Sequence, residues 1–376
     1  MSLIYSDDQI QLKDSARDFL AARSPVAVQR RLRDQPEACG FDREVWAGMR
    51  ELGWSAVAFS EADGGLEFGF AGFAPLFEEI GRNLAVSPLL SSVVLSGALV
   101  EQLADDEKRQ ELIPQLIGGD LRLALAHDSQ HRHATQVAGV SANRDADGYV
   151  LRGEKSWVVD GAEADGWLVT ARLEQGGEAV FLIPAGTPGV QVQRLQLIDA
   201  RNHIALKLDD VRLPFSARLG EDNPHEAIDL ALDRGRACLA AELLGACESM
   251  FAMTVEYLKT RVQFGVPIGS FQALQHRAAR LFVDLQLARS AVMAAFEALD
   301  CNATSAGERR RLVSLAKWKT NEAAQKISNE AVQMHGGIGV TDEYDLGLFL
   351  KRVRVAQACL GDSDFHCQRY AENLND

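Results

Sequence analysis

Between residues 271 and 299, apolar side chains recur at every third or fourth position: Leu274, Ala278, Leu281, Phe282, Leu285, Ala288, Val292, Ala295, Phe296 and Leu299. A run with that period buries one stripe only as a helix, and at this length the helix spans roughly 40 Å. A second run, about 307–335, follows the polar loop Asn302–Gly307. Two long helices joined by a short loop satisfy their stripes by packing antiparallel, so the C-terminal part reads as a helical bundle.

The period changes upstream. Ser6 with Gln9 forms a capping box that opens a first helix, and Asp42 caps another carrying Val45, Trp46, Met49 and Leu52. After Gly64-Gly65, residues 70–82 and 88–104 are again helical, and Asp105 or Asp106 starts a short helix ending near Gly118-Gly119. From about 120 the spacing shortens. Tyr149-Val-Leu151, Trp157-Val-Val159, Trp167-Leu-Val169 and Val180–Ile183 are short apolar runs separated by turn signals such as Asp147-Gly148 and Thr187-Pro188-Gly189. The expected fold is mainly α with a central β domain. It has an N-terminal helical domain (1–118), a small antiparallel β domain (119–222) and a C-terminal antiparallel helical bundle (223–376).

A net charge of −14 argues against a nucleic-acid role. The six cysteines, Cys39, Cys238, Cys247, Cys301, Cys359 and Cys367, show no C-x-x-C and no metal spacing, as expected of free thiols in a reducing compartment. No signal peptide is expected at the N-terminus, and no uncharged run approaches the roughly 18 residues of a membrane span. The expected location is cytoplasmic. His127, His131 and His133 cluster without a supporting Cys or carboxylate pattern, so no metal site is expected.

The densest chemistry lies at 257–276. Arg261, Gln263, Phe264, Gly265, Pro267 and Gln272 fall within a dozen residues, and Gly265 with Pro267 should stop the preceding helix. Such a corner either holds an anion or polar ring system or is merely a solvated turn between helices. The whole string resembles the signature of the acyl-CoA dehydrogenase family. Gln333-Met-His-Gly336-Gly337-Ile-Gly339 is similar to a second family string, and Gly148-Tyr149-x-Leu151-x-Gly153-x-Lys155-x-Trp157 to a third. The resemblance implies an FAD enzyme acting on coenzyme A thioesters. One carboxylate would remove the α-proton while a β-hydride passes to the flavin, with an electron-acceptor flavoprotein downstream. It also implies that Arg261, Gln263, Phe264, Gln272, Gln333, Gly336 and Gly337 grip the adenine and pyrophosphate end of a neighbouring subunit's FAD, and that Trp157 covers the flavin ring.

The same resemblance exposes losses. The family places its glutamate base either in a C-terminal loop or on a bundle helix just before an arginine. Here the loop reads Ala358-Cys-Leu360-Gly361-Asp362, and the helix reads Arg234-Gly235-Arg236. Asp362 and Glu242 are the remaining candidate bases; Asp362 is a methylene short and Glu242 sits two helical turns away. The family's hydroxyl-bearing loop beside the flavin becomes His127–Thr135, and a hydroxyl position after Trp157 becomes Val159. This pattern suits the partner subunit of a heteromeric acyl-CoA dehydrogenase, with a homodimer or homotetramer as the competing assembly. The alternatives are a flavin oxidase or monooxygenase of the same fold using Asp362, or a non-catalytic binding protein.

Overall fold

The computed structural model describes residues 4–35, 40–130, 132–220 and 223–374; Cys39 and His131 lie outside them. Helices α1 (Asp7–Arg23), α2 (Val26–Asp34), α3 (Arg43–Glu51) and α4 (Phe73–Asn83) come first. A buried π-helix, Leu89–Ser96, runs into α5 (Gly97–Leu103), and α6 (Asp106–Gly118) follows. Strands β1 (Leu123–Ala126), β2 (Val140–Arg144), β3 (Gly148–Val159), β4 (Gly166–Leu173), β5 (Glu178–Pro184), β6 (Val190–Leu195), β7 (His203–Pro214) and β8 (Arg218–Leu219) form one sheet. The chain continues through α7 (His225–Thr260), a hairpin of β9 (Val262–Gln263) and β10 (Val266–Pro267), and α8 (Gln272–Asp300), α9 (Ala306–His335), α10 (Leu346–Ala358) and α11 (Ser363–Glu372).

By packing, the chain forms two units: residues 1–31, 70–85 and 236–376, and residues 32–69 and 86–235. In the first, α8 and α9 pack lengthwise, burying Leu281, Leu285, Val292 and Phe296 against residues such as Val313, Ala324 and Ile327. Helix α4 crosses α7 with backbones touching. A Cβ on Gly81 would lie 1.9 Å from the Glu242 carbonyl oxygen, and one on Gly245 would lie 1.8 Å from that of Glu78, so only glycine fits either position. Of the apolar stripe expected on α8, Phe282 instead faces outward, as do Val283 and Leu287, at 50%, 55% and 60% exposure.

In the second unit the strand order is β6-β7-β3-β2-β4-β5-β8, with β1 also on β4. The sheet is mostly antiparallel, but β1 and β2 both run parallel to β4. They lie in line along one side of β4, Leu123–Ala126 opposite Gly166–Val169 and Ser141–Ala142 opposite Arg172–Leu173, while β5 pairs along its other side. Residues 127–130 and 132–139 are therefore an excursion out of a single strand track. The core tryptophan of the sheet is Trp167, whose indole N–H donates to Gly161 O at 3.0 Å.

Helix α7 is long and apolar enough to cross a membrane by length and composition, which the sequence reading did not anticipate. Its apolar side chains, among them Leu239, Leu243, Leu244 and Met250, are buried within the protein. It is a core helix.

Candidate functional site

Three places carry the nominated residues. The first is one end of the bundle. Helix α7 stops at Thr260, and the chain reverses in a two-residue β-hairpin rather than a plain helix corner. Phe264 (φ 53°) and Gly265 (φ 79°) both take positive φ, the primed turn whose twist suits a tight hairpin. The Phe-Gly pair at its tip was the available signal, masked by Pro267 just beyond. Tyr257, one turn before the end of α7, stacks on His335 at the end of α9 with ring centroids 4.5 Å apart. His335 is fixed in turn by Ala331 O at 2.7 Å and the Tyr344 hydroxyl at 3.2 Å. The two family-like strings, far apart in sequence, thus meet at one end of the bundle.

What they present there is unused. Arg261, Gln263, Gln272 and Gln333 are exposed, and their side chains make no hydrogen bond among the described residues. Phe264 is 91% exposed, touching the edge of Phe271. A Cβ on Gly336 or Gly337 would meet nothing within 4 Å. Helix α8 begins at Gln272 with no side-chain cap, so its positive end and first N–H groups remain available. A cation, an uncapped helix start and open glycine backbone suit a diphosphate.

The second place is the turn after α10. Leu360 (φ 55°) and Gly361 (φ 116°) reverse the chain, and a side chain on Gly361 would strike the Phe365 ring at 2.4 Å. Two buried cations hold this turn by its carbonyls. Lys317 Nζ donates to Ala356 O at 2.9 Å, Gly361 O at 3.3 Å and Asn321 Oδ1 at 3.0 Å. Arg236 Nε donates to Leu360 O at 3.3 Å. Burial pushes the Lys317 ammonium down to about 7, with Cys359 and Asp362 opposing and Arg352 and Arg236 reinforcing. Asp362 is the N-cap of α11: its Oδ1 accepts from Phe365 N at 2.9 Å, leaving the other oxygen without a hydrogen bond among the described residues. Glu242 is not near solvent. It is 3% exposed and held by Arg352 through two bonds, Nε to Oε1 at 2.7 Å and Nη2 to Oε2 at 3.0 Å.

The third place is the excursion 127–139 with the end of β3. Between Lys155 and Val158 the pairing with β7 slips by one residue, a β-bulge that puts Trp157 at φ 57°. The Trp157 indole N–H is buried without a partner, and the ring meets His203 edge-on at 6.3 Å. Lys155 Nζ, almost fully buried, donates to His127 O and Ala138 O at 2.7 Å each and to Thr170 Oγ1 at 2.9 Å. Burial pushes this lysine down to about 7 against the pull of Asp128 and Glu178, and pushes His127 down to about 3. Burial would raise Asp128, but its hydrogen bond and charge pairing with His133 outweigh that and hold it below the usual carboxylate range. Beside the bulge opens a polar cleft of about 420 Å³ whose lining includes Ser129, Gln130, Gln193 and Lys207.

A helical–sheet–helical chain of this kind has the architecture of a flavoprotein dehydrogenase class. The N-terminal, middle and C-terminal domain models of acyl-CoA dehydrogenase match residues 6–120, 124–211 and 226–375. The chain belongs to the acyl-CoA dehydrogenase family, whose cofactor is FAD. It is 29% identical to the acyl-CoA dehydrogenase FadE27 of Mycobacterium tuberculosis, over 89% of this chain and 88% of that one. It is 27% identical to a probable acyl-CoA dehydrogenase, YngJ, of Bacillus subtilis, over 97% of each. Among solved structures it resembles a chain of the ChsE4-ChsE5 complex from Mycobacterium tuberculosis, with a TM-score of 0.90, 26% identity and coverage of 100% and 99%.

Proposed function

We propose that this chain is one subunit of a heteromeric FAD-dependent acyl-CoA dehydrogenase, completing an α,β-desaturation site whose base is carried by a second, related chain. The observation that carries this reading is the placement of carboxylates. The α-proton of a thioester is weakly acidic, so its base must be placed to within about half an ångström and must be free to accept the proton. Gly235 occupies one family position, and Leu360-Gly361-Asp362 occupies the other. Glu242 is committed to Arg352, and one oxygen of Asp362 is committed to its own helix.

FAD, when bound, supplies the hydride acceptor. This chain's part is to bind it: Arg261 and the uncapped start of α8 neutralise the diphosphate, while Gln263, Gln272 and Gln333 pair with polar edges. Gly336 and Gly337 admit close approach, and Phe264 covers apolar surface. The outward Phe282, Val283 and Leu287 offer a face for a neighbouring subunit. That a similar solved chain comes from a two-component complex supports the same reading. An electron-acceptor flavoprotein would reoxidise the assembly.

The test is to purify the chain alone and measure acyl-CoA oxidation with an artificial acceptor. No turnover alone, and turnover on adding a glutamate-bearing partner, is expected. Robust turnover by the isolated chain would overturn the proposal. It would favour the second reading, in which Asp362, on a turn pinned by Lys317 and Arg236, is the chain's own base.

A further inference from the structure

We propose that the outer face of α8 docks a helix of the unlike chain, and that Arg280 selects that chain through a carboxylate which the same face of a second copy does not present. This rests on the two-subunit reading and adds to it the surface and the chemistry of the partner. His276, Arg280, Val283 and Leu287 are all exposed on α8, at spacings of four, three and four residues, with Phe282 beside them. That spacing puts them on one stripe, polar and cationic towards the start of the helix and apolar beyond it. Beside Leu287 a groove of about 450 Å³ opens between α8 and α9, lined by small and apolar side chains such as Ala291, Ala294 and Leu315.

The charges flanking the stripe are already matched. Asp284 lies 3.2 Å from Lys326, Glu322 lies 3.0 Å from Lys319, and Glu330 lies 2.5 Å from Arg277. Arg280 and the His276 ring make no ion pair or hydrogen bond among the described residues. A neutral rim, an apolar groove and one unmatched guanidinium describe what fits: a helix with a large apolar side chain for the groove and a carboxylate roughly 10 Å away, the rise from residue 280 to 287. A second copy does not supply this from the same face. The stripe holds no acid and Asp284 is spent on Lys326, so stripe against stripe leaves Arg280 facing a cation, an imidazole or an apolar side chain. An acid from elsewhere on a second copy makes a head-to-tail contact, which builds rings or filaments rather than a closed pair.

Cross-linking and charge exchange test this in the intact assembly. The full-length chain carrying a benzophenone side chain at position 287 is co-expressed with the glutamate-bearing acyl-CoA dehydrogenase chain of the same organism. Irradiation should join the two unlike chains, with the adduct mapped by mass spectrometry to a helix that carries an Asp or Glu within two turns. Arg280→Glu should weaken association, read by sedimentation of the mixed chains, at least about tenfold, and changing the partner's acid to lysine should restore it. Leu287→Asp should weaken it at least as much. Both positions are exposed, so the unfolding midpoint of the isolated chain should hold. An adduct joining two copies of this chain, or an Arg280→Glu chain that associates as tightly as the unmodified one, would overturn the proposal and leave the two-subunit reading in place. If the unmodified chain forms no complex with the glutamate-bearing chain, the two-subunit reading falls and this proposal falls with it.

Discussion

The hairpin end of the bundle and the excursion 127–139 of the sheet are both sites where a family-like site would meet its cofactor, and they are built on opposite plans. At the hairpin end the motif residues are exposed and idle, on a backbone set by a primed turn and by Tyr257 against His335. In the excursion the buried groups His127, Asp128 and His133 have internal partners, and the carbonyls of His127 and Ala138 are gathered on the buried Nζ of Lys155. The turn at Leu360–Asp362 follows the second plan, with Lys317 in the role of Lys155. At the hairpin end the exposed side chains carry the unused capacity; in the excursion and the Leu360–Asp362 turn the buried lysines spend theirs on backbone carbonyls.

The comparison can be tested by substitution, beginning with the inner set. Glu242→Ala removes both bonds that the buried Arg352 makes to its carboxylate, and should cost about 3–5 kcal/mol of stability in denaturant unfolding. If the carboxylate were instead a base, the loss would appear in turnover at unchanged stability. Arg261→Glu should leave the fold intact and reduce FAD retention by the assembly about a hundredfold, read as flavin absorbance after gel filtration. A drop in unfolding midpoint there would mean that Arg261 belongs to the framework after all.

Lys155→Met strands two carbonyls and should cost on the order of 2 kcal/mol, with faster amide exchange confined to residues 127–139. His127 titrates near 3 in the folded chain and near its ordinary 6.5 when unfolded. Below 6.5 the unfolded chain binds the extra proton. The stability contribution of the neutral ring is therefore complete above 6.5 and is lost as pH falls towards 3. His127→Gln should flatten the stability profile between pH 6.5 and 5, above the range where most carboxylates protonate. The smallest effect is expected of Asp362→Asn. Asparagine caps a helix about as well as aspartate, so stability should hold, and turnover of the assembly should change less than about twofold.

Much of this was legible in the residues. The capping box at Ser6, the Asp42 and Asp105 caps and the lengths of α8 and α9 follow from local chemistry and period, and the structure has them. The hairpin, the π-helix and the parallel pairing of β1 and β2 were not read, because each depends on partners distant in sequence. Phe282 was read as core since its spacing fits the stripe, yet only the packing of α9 decides which part of a wide stripe is covered. Trp157 and Trp167 sit in similar apolar runs, but a one-residue slip of register sends the first out of the core and leaves the second in it.

By itself, then, the sequence determined the layers, the helix lengths and the family strings, because period, caps and motif spacing are properties of neighbouring residues. Only the tertiary structure decided which polar groups are free. Whether Glu242, Asp128 or Arg261 can act on a ligand depends on what lies within about 3 Å of its charged atoms, and a hydrogen bond is made or spent at that distance regardless of separation along the chain.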